Sequence, residues 1–273
     1  MDVAIALVVG LAAGTHTSIW GMYKDAPYEG FTYRTFSRSI LLSAGIGVAI
    51  ELVADFDMEQ AASIAVLFGL TYVIERAMTE FYKTFLRDED QSKYFIPMQL
   101  SIRGKVVEER WRVLLAGAAY AVVVAAIVLA IDALQDADVL SGLAAVLVIG
   151  SAGGWISAFG GAWKDAPLEG FSIFKFFRSP LVSLSYAILL GFLTTSYVYV
   201  AMGALGYTVA TLETYKTFFK PSTPRGKFSG KEIRFPDMLT WRKRFVPVYV
   251  AIWIAIVVTF VIALAEPNTG LIG

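Results

Sequence analysis

The sequence predicts an all-α membrane protein, a polytopic transmembrane bundle of about 8 spans built as two parallel four-helix repeats. Three observations lead to this prediction: an apolar composition, a series of long apolar runs, and a phrase that occurs twice. Hydrophobic residues make up 57% of the chain and charged residues 17%. A soluble domain is about half apolar and about a quarter charged, so a lipid bilayer is the expected solvent.

Eight apolar runs approach the length needed to cross about 30 Å of hydrocarbon at about 1.5 Å per residue. The second and seventh runs are the shortest. The predicted spans are residues 3–20, 40–54, 61–78, 113–133, 139–158, 181–200, 203–214 and 245–265. The chain has no Cys, which excludes disulfides, thiolate metal sites and cysteine nucleophiles.

The repeated phrase reads KDAPYEGF from Lys24 and KDAPLEGF from Lys164. A second phrase follows each copy, as EFYKTF from Glu80 and ETYKTF from Glu213. This recurrence predicts two four-helix repeats. The repeats are expected at residues 1–134 and 135–273. Four crossings return the chain to its starting side, so the repeats should be parallel and related by an axis along the membrane normal.

The basic residues predict the orientation in the membrane. Every Lys and Arg follows span 1, 3, 5 or 7 or lies at an adjoining helix end, whereas the opposite connections carry only acids. Basic loops stay in the cytoplasm, so both phrases are expected inside and both termini outside. The expected partners are membrane lipids, with anionic headgroups at the cytoplasmic face. Nucleic acid is not expected, and a membrane-protein partner or a homo-oligomer is left open.

Glycines in the first and fifth spans are spaced for close helix packing. Gly10 and Gly14 form one GxxxG pair, and Gly150 and Gly154 form the other. Such pairs allow two helix backbones to approach closely. We therefore expect spans 1 and 5 to lie at the centre of the bundle.

Charged residues of the repeated phrases form the candidate substrate- or ion-binding site at the inner end of the bundle. They are Lys24, Asp25, Glu29, Arg38, Glu80 and Lys83 in the first half, and Lys164, Asp165, Glu169, Arg178, Glu213 and Lys216 in the second.

These charges allow two interpretations. In the first, ion pairs hold a sharp turn in which Pro27 and Pro167 stand in the first turn of a helix and Gly30 and Gly170 end it. In the second, carboxylates bind a divalent cation or a cationic group while Lys and Arg hold phosphate oxygens.

The spacing D-x-x-x-E, at Asp25 and Glu29 and again at Asp165 and Glu169, resembles the two acid-rich motifs of intramembrane prenyltransferases. The resemblance implies Mg²⁺ as a cofactor and a lipid or isoprenoid phosphate as a substrate. The phrases depart from that family's pattern, since they follow the first span of each half, contain Pro and are poorer in Asp and Asn. No other cofactor and no metal site is predicted.

Three residues outside the phrases are notable. His16 is the single histidine, has Ile156 at its place in the second half, and is expected to be a hydrogen-bonded packing residue. Glu75 and Arg76 also occur in the first half alone and are candidates for an ion pair.

Three functions stay open. The leading hypothesis is a transport protein, whether a channel, a carrier or a lipid flippase or scramblase, with its path between the two halves. The alternatives are an interfacial transferase or hydrolase acting on a lipid or isoprenoid phosphate, and a non-catalytic scaffold or accessory subunit. Nucleotide-binding, zinc-protease and serine-hydrolase motifs do not occur, which favours a protein that is not an enzyme.

Overall fold

The computed structural model describes residues 1–219, 226–267 and 270–272. This part of the chain is helical apart from connections and one short hairpin, which confirms the predicted all-α class. Residues 220–225, where the second long polar connection begins, lie outside the described residues.

The main helices follow the chain in order. They are α1 Asp2–Glu29, α2 Tyr33–Ala54, α3 Ala61–Phe81, α4 Arg110–Asp136, α5 Gly142–Gly150, α6 Ala152–Glu169, α7 Ile173–Gly191, α8 Tyr197–Phe218, α9 Met238–Trp241 and α10 Val246–Ala265. A π-helical turn, Tyr82–Leu86, continues α3, and a 3-10 turn, Arg242–Phe245, joins α9 to α10. Strands β1 Ser101–Ile102 and β2 Lys105–Val106 pair antiparallel.

Seven helical segments of the described chain are long and apolar enough to cross a membrane. They are Asp2–Glu29, Tyr33–Ala54, Ala61–Leu86, Arg110–Asp136, Gly142–Glu169, Ile173–Gly191 and Met238–Ala265. The chain is therefore a multi-pass membrane protein by length and composition. Helix α8 is not among the seven, although it has 22 residues. It contacts α1, α3, α4, α5, α6 and α7, and helices that shield it from lipid remove the need for an apolar surface all round.

The structure corrects the boundary between the sixth and seventh predicted spans. The predicted sixth span, residues 181–200, crosses a break, because α7 ends at Gly191 and α8 begins at Tyr197. The Ser196 side chain caps α8 by accepting the backbone N–H of Tyr199 at 3.2 Å. Apolar residues continue on both sides of this turn, so hydropathy did not reveal it.

The repeated phrase continues a helix instead of beginning one, which corrects the expected position of its proline. Helices α1 and α6 run through Pro27 and Pro167 and end at glycines. Gly30 has φ 77° and Gly170 has φ 81°, a backbone region that favours glycine. Both glycines therefore end their helices as the sequence suggests.

The predicted packing glycines lie where two helices of the same half approach closely. A Cβ added at Gly14 would lie 2.5 Å from the Ser39 carbonyl oxygen of α2, and one at Gly154 would lie 2.7 Å from the Ser179 carbonyl oxygen of α7. Gly10 and Gly150 face the same neighbouring helices. These glycines therefore join α1 to α2 and α6 to α7 and do not form the contact between the halves, although α1 also contacts α3, α8 and α10.

The centre of the bundle is the contact between α3 and α8. Gly69 of α3 meets Gly203 and Gly206 of α8, and a Cβ at Gly206 would overlap the Gly69 carbonyl oxygen. The Tyr207 hydroxyl donates to the Ala65 carbonyl at 2.7 Å across this contact. Helix α10 also packs on α3, and α4 packs on α8, so the last helix of each half contacts the other half.

A large apolar core fills the end of the bundle away from the repeated phrases. It includes Ala6, Met58, Val146, Leu193 and Val200, of which Met58 and Leu193 belong to the turns at that end. Burial of such side chains closes this end of the bundle, whereas charged residues occupy the other end.

The close contact of α3 and α8 predicts that Gly206→Ala destabilises the protein. The added methyl group would force the helices apart, at a cost of about 1–3 kcal/mol. The matched control is Gly45→Ala in α2, where an added Cβ meets no atom within 4 Å. Thermal unfolding in detergent should show a lower Tm for Gly206→Ala alone, and equal Tm values would contradict the packing described here.

Candidate functional site

A cavity of about 1220 Å³ lies between the halves at the end that carries the repeated phrases. Ten Lys or Arg side chains and five Asp or Glu side chains line it among the described residues. The bases are Lys24, Arg76, Lys83, Lys164, Lys175, Arg178, Lys216, Lys227, Arg242 and Lys243, and the acids are Asp25, Glu80, Asp165, Glu169 and Glu213. The cavity therefore has a surplus of positive charge.

Ten of the twelve predicted site residues line this cavity. The two that do not are Glu29 and Arg38. Glu29 lies beside the cavity and accepts a hydrogen bond from the Tyr94 hydroxyl at 2.9 Å. Arg38 is exposed on α2. Its counterpart Arg178 does line the cavity, with its guanidinium 5.6 Å from the centre of the Tyr215 ring.

The lysine of each KDAP phrase interacts with the glutamate of the second phrase in the other half. Lys24 Nζ lies 3.6 Å from Glu213 Oε2. Lys164 in turn interacts electrostatically with Glu80. Each glutamate also pairs with the lysine three residues after it, with Lys83 Nζ 3.1 Å from Glu80 and Lys216 Nζ 3.0 Å from Glu213. The two phrases therefore form one charged network across the halves.

The first KDAP phrase is held by the polar connection of the second half, which is the segment between α8 and α9. Lys227 Nζ lies 2.9 Å from Asp25 Oδ2 and 3.5 Å from Glu29 Oε2. The backbone N–H of Arg234 donates to the Pro27 carbonyl at 3.0 Å. Lys227 was not predicted as a site residue, since nothing in the sequence links it to a phrase about two hundred residues away.

Arg242 compensates for the proline in α1. A proline has no N–H, so Pro27 cannot donate to the Tyr23 carbonyl four residues earlier in the helix. The Arg242 guanidinium donates to that carbonyl, and it also lies 4.1 Å from the centre of the Tyr23 ring. The carbonyl that the helix leaves without a partner is therefore bonded by a residue of the second half.

The helix that carries the second KDAP phrase contacts both halves, including the polar connection of the first half, which is the segment between the π-helical turn after α3 and the start of α4. The Trp163 indole N–H donates to the Ser101 carbonyl at 3.1 Å, and Lys164 Nζ lies 3.8 Å from Met98 Sδ. From its own half, Glu169 accepts Lys175 Nζ at 2.7 Å and the backbone N–H of Gly226 at 2.9 Å.

One wall of the cavity is apolar. Side chains of α3, α4, α6 and α8 form this wall, including Ala77, Ala116, Ile156, Leu205 and Val209. At its charged end the Thr217 side chain is buried and its hydroxyl has no hydrogen-bond partner among the described residues. A buried polar group without a partner indicates a place for a polar ligand atom.

His16 belongs to an aromatic cluster beside the cavity, formed with Trp20, Tyr72, Tyr249 and Trp253. Its Nδ1 lies 3.0 Å from the Tyr72 hydroxyl, which also accepts the Trp20 indole N–H at 2.8 Å. The His16 ring stacks on Tyr249 at 4.1 Å between centroids. The expected packing role of the single histidine is confirmed.

The first-half residues Glu75 and Arg76 are close, with 4.0 Å between Arg76 Nη1 and Glu75 Oε2. Arg76 also pairs with Glu80. The predicted interaction therefore exists as part of the larger charged network.

The donor set does not match the Mg²⁺ site implied by the D-x-x-x-E spacing. Lys227 engages both carboxylates of the first phrase and Lys175 engages Glu169. Within residues 1–219, 226–267 and 270–272, no group of three or more His, Asp or Glu side chains is placed to hold a metal ion.

No family model, characterised protein or solved structure matches this chain. The function is therefore proposed from the cavity and its charges.

Lys227 should stabilise the protein through Asp25. Lys227→Met leaves the Asp25 carboxylate without its cation and should cost about 1 kcal/mol, because the pair is partly exposed. Asp25→Asn should remove most of that cost, so the two changes should be strongly non-additive in thermal unfolding. Lys231→Met, at a lysine that bonds the Ser92 carbonyl, is the control. Additive effects of the first two changes would contradict the pairing.

Glu89 should make the first polar connection sensitive to acid. Burial raises the pKa of Glu89, but the hydrogen bond from Lys93 and the charge of Arg87 outweigh it and hold the pKa below its ordinary value of 4.5. Ionised Glu89 therefore stabilises the fold above that value, and the contribution is lost as the pH falls through the lowered pKa.

The Tm difference between the wild type and Glu89→Gln should accordingly shrink between about pH 7 and about pH 3. Glu108→Gln, at an exposed glutamate of the same connection, is the control. A Tm difference for Glu89→Gln that is constant over this range would contradict the assignment.

Proposed function

We propose that the protein is a transport-type membrane protein that binds an anionic group in the charged cavity and moves it along a path between its two halves. The surplus of basic side chains in the cavity carries this proposal. The whole chain has 23 basic and 23 acidic residues, so the surplus is a local feature. Apolar walls around a charged cavity strengthen its field and favour anion binding.

The chemistry of the lining favours phosphate or carboxylate oxygens as the bound group. Lys and Arg donate charge-assisted hydrogen bonds to such oxygens. Lys164 lies at the junction of the halves and is the base that we assign to the ligand most directly, because its ammonium group lies 3.8 Å from the Met98 thioether sulfur, which is a weak acceptor.

The proposal includes the predicted membrane arrangement. Eight crossings, with α8 as the shielded seventh, form two parallel repeats at residues 1–134 and 135–273 with both termini outside. The equivalent contacts of Gly14 and Gly154 support the repeat. Basic loops at the cavity end support a cytoplasmic opening and contact with anionic headgroups.

A carrier or lipid flippase suits the packing better than an open channel. The apolar core fills the end of the bundle opposite the cavity, and the Tyr207 hydroxyl bridges α8 to α3 at the centre of the bundle. We therefore expect a ligand to enter the cavity of this conformation from the charged end. Transport then requires a second conformation in which the contact between the halves changes.

Reconstitution into phosphatidylcholine vesicles tests the proposal. Two probes cover the two sources of an anionic group: fluorescent phosphatidic acid, followed by chemical quenching of each leaflet, and radiolabelled inorganic phosphate, followed by uptake. At least one probe should move faster with protein than in empty vesicles. Lys164→Gln should slow that movement about tenfold through one lost charge-assisted contact.

Lys105→Gln, at an exposed lysine of β2, is the matched control and should transport normally. Movement of neither probe above the empty-vesicle rate would overturn transport. Magnesium-dependent conversion of the lipid probe would identify a lipid-phosphate transferase or hydrolase instead. A stoichiometric membrane partner without transport would identify an accessory subunit.

A further inference from the structure

The space beside the helix that carries the KDAP phrase is filled by aromatic side chains in the first half and is unfilled in the second. Residues of α1 and α6 correspond at a separation of 140 positions, as the two phrases show. At this separation His16 corresponds to Ile156 and Trp20 corresponds to Gly160. The large indole side chain of Trp20 in α1 therefore has no counterpart in α6, because Gly160 has no side chain.

On the α1 side, the aromatic cluster fills the space between α1 and α10. Trp20 is only 5% exposed, and His16 packs against Tyr249 and Trp253 of α10. Helices α1 and α10 are in direct contact, and these rings fill the space between them and are held by hydrogen bonds to Tyr72.

On the α6 side, the corresponding residues are small. Trp111-Arg112 in the first turn of α4 matches Trp241-Arg242 just before α10, a separation of 130 positions. Tyr249 then corresponds to Ala119 and Trp253 to Val123. Val123 is 55% exposed, and a Cβ added at Gly160 would meet no atom within 4 Å. The space that aromatic rings fill on one side is thus left open on the other.

The packing of α4 agrees with this opening. Its buried residues are Val113 and Gly117, both near the charged end of the helix. Gly117 lies against the Phe85 ring of the turn that follows α3. Helix α4 is therefore most buried near the charged end. Farther along, Ile131 packs on the apolar core and the Gln135 side chain bonds the backbone at Thr195 and Tyr197, while Val122 and Val123 on its other faces are exposed.

The open side is continuous with the charged cavity. Ala116 and Tyr120 of α4 and Ile156 and Gly160 of α6 line the same cavity as the basic residues. A ligand in this space meets Lys and Arg at one end and an apolar wall that reaches the exposed side of the bundle at the other. Free phosphate would use the charged end alone.

We infer that the ligand is a membrane lipid with an anionic phosphate headgroup, whose headgroup lies in the charged cavity and whose tails leave the bundle between α4 and α6. This inference names the ligand of the proposed transport function and rests on it. The headgroup is assigned to the charged cavity by charge complementarity. The tails are assigned to the space between α4 and α6 because no aromatic side chains fill it.

Tail placement is tested with dioleoyl phosphatidic acid that carries a diazirine in its acyl chains. After irradiation of the purified protein, peptide mass spectrometry should find labels in α4 and α6, around Ala116 and Ile156. Labelling centred on α1 and α10 instead, or spread evenly over the lipid-facing helices, would overturn the inference.

Blocking the opening provides a second test. Gly160→Trp restores the residue found at the equivalent place in α1 and should weaken binding of dioleoyl phosphatidic acid about tenfold. Ala116→Trp fills the same space from α4 and should do the same if Gly160→Trp fails to fold. Gly45→Trp, also in open space but on α2, should bind normally.

The outcomes separate this inference from the function on which it rests. If Lys164→Gln weakens lipid binding but neither tryptophan variant does, the tail path is wrong and the anion site stands. Equal affinity for glycerol 3-phosphate and phosphatidic acid would likewise overturn the lipid assignment while keeping the anion site. If neither phosphatidic acid nor glycerol 3-phosphate binds the protein, so that no variant changes binding, both proposals fail.

Discussion

The structure depends on charged contacts that each half makes with the other. Lys227 from the second half holds Asp25 and Glu29 of the first phrase, while Lys24 of that phrase reaches Glu213 in the second half. Charges at the edge of a bilayer are costly unless they are paired or solvated. Pairing across the halves meets that requirement and fixes how the halves face each other.

The same arrangement produces a cavity instead of a closed interface. Helices α3 and α8 meet through glycines at the centre, which brings the halves together at the level of Gly69 and Gly206. Towards the charged end the interface widens into the cavity, where basic residues outnumber acids. The helices that carry the two KDAP phrases then differ in their packing. Trp20 seals α1, whereas Gly160 leaves α6 open, so two similar halves enclose one site with a preferred side.

Much of this arrangement could be predicted from local sequence patterns, and the remainder depends on contacts between distant residues. Hydropathy marked most spans, and ten of the twelve site residues predicted from the repeated phrases line the cavity. Hydropathy missed the turn before Tyr197 because apolar residues flank it on both sides. The partners of the phrases could not be predicted, since Lys227 and Arg242 meet α1 only through the packing of the halves. Glycine spacing indicated close helix contacts but not which helix would be the neighbour.

Cross-linking tests the exchange of contacts between the halves most directly. The chain contains no cysteine, so paired cysteines can be introduced without a background. One pair replaces Tyr28 and Phe228, whose rings stack at 4.4 Å between centroids, and the other replaces Ser101 and Trp163. Each pair joins a KDAP helix to the polar connection of the other half. Both pairs should cross-link with a short bifunctional thiol reagent in folded, membrane-embedded protein. Failure of both pairs in protein that stays folded would contradict the reciprocal arrangement.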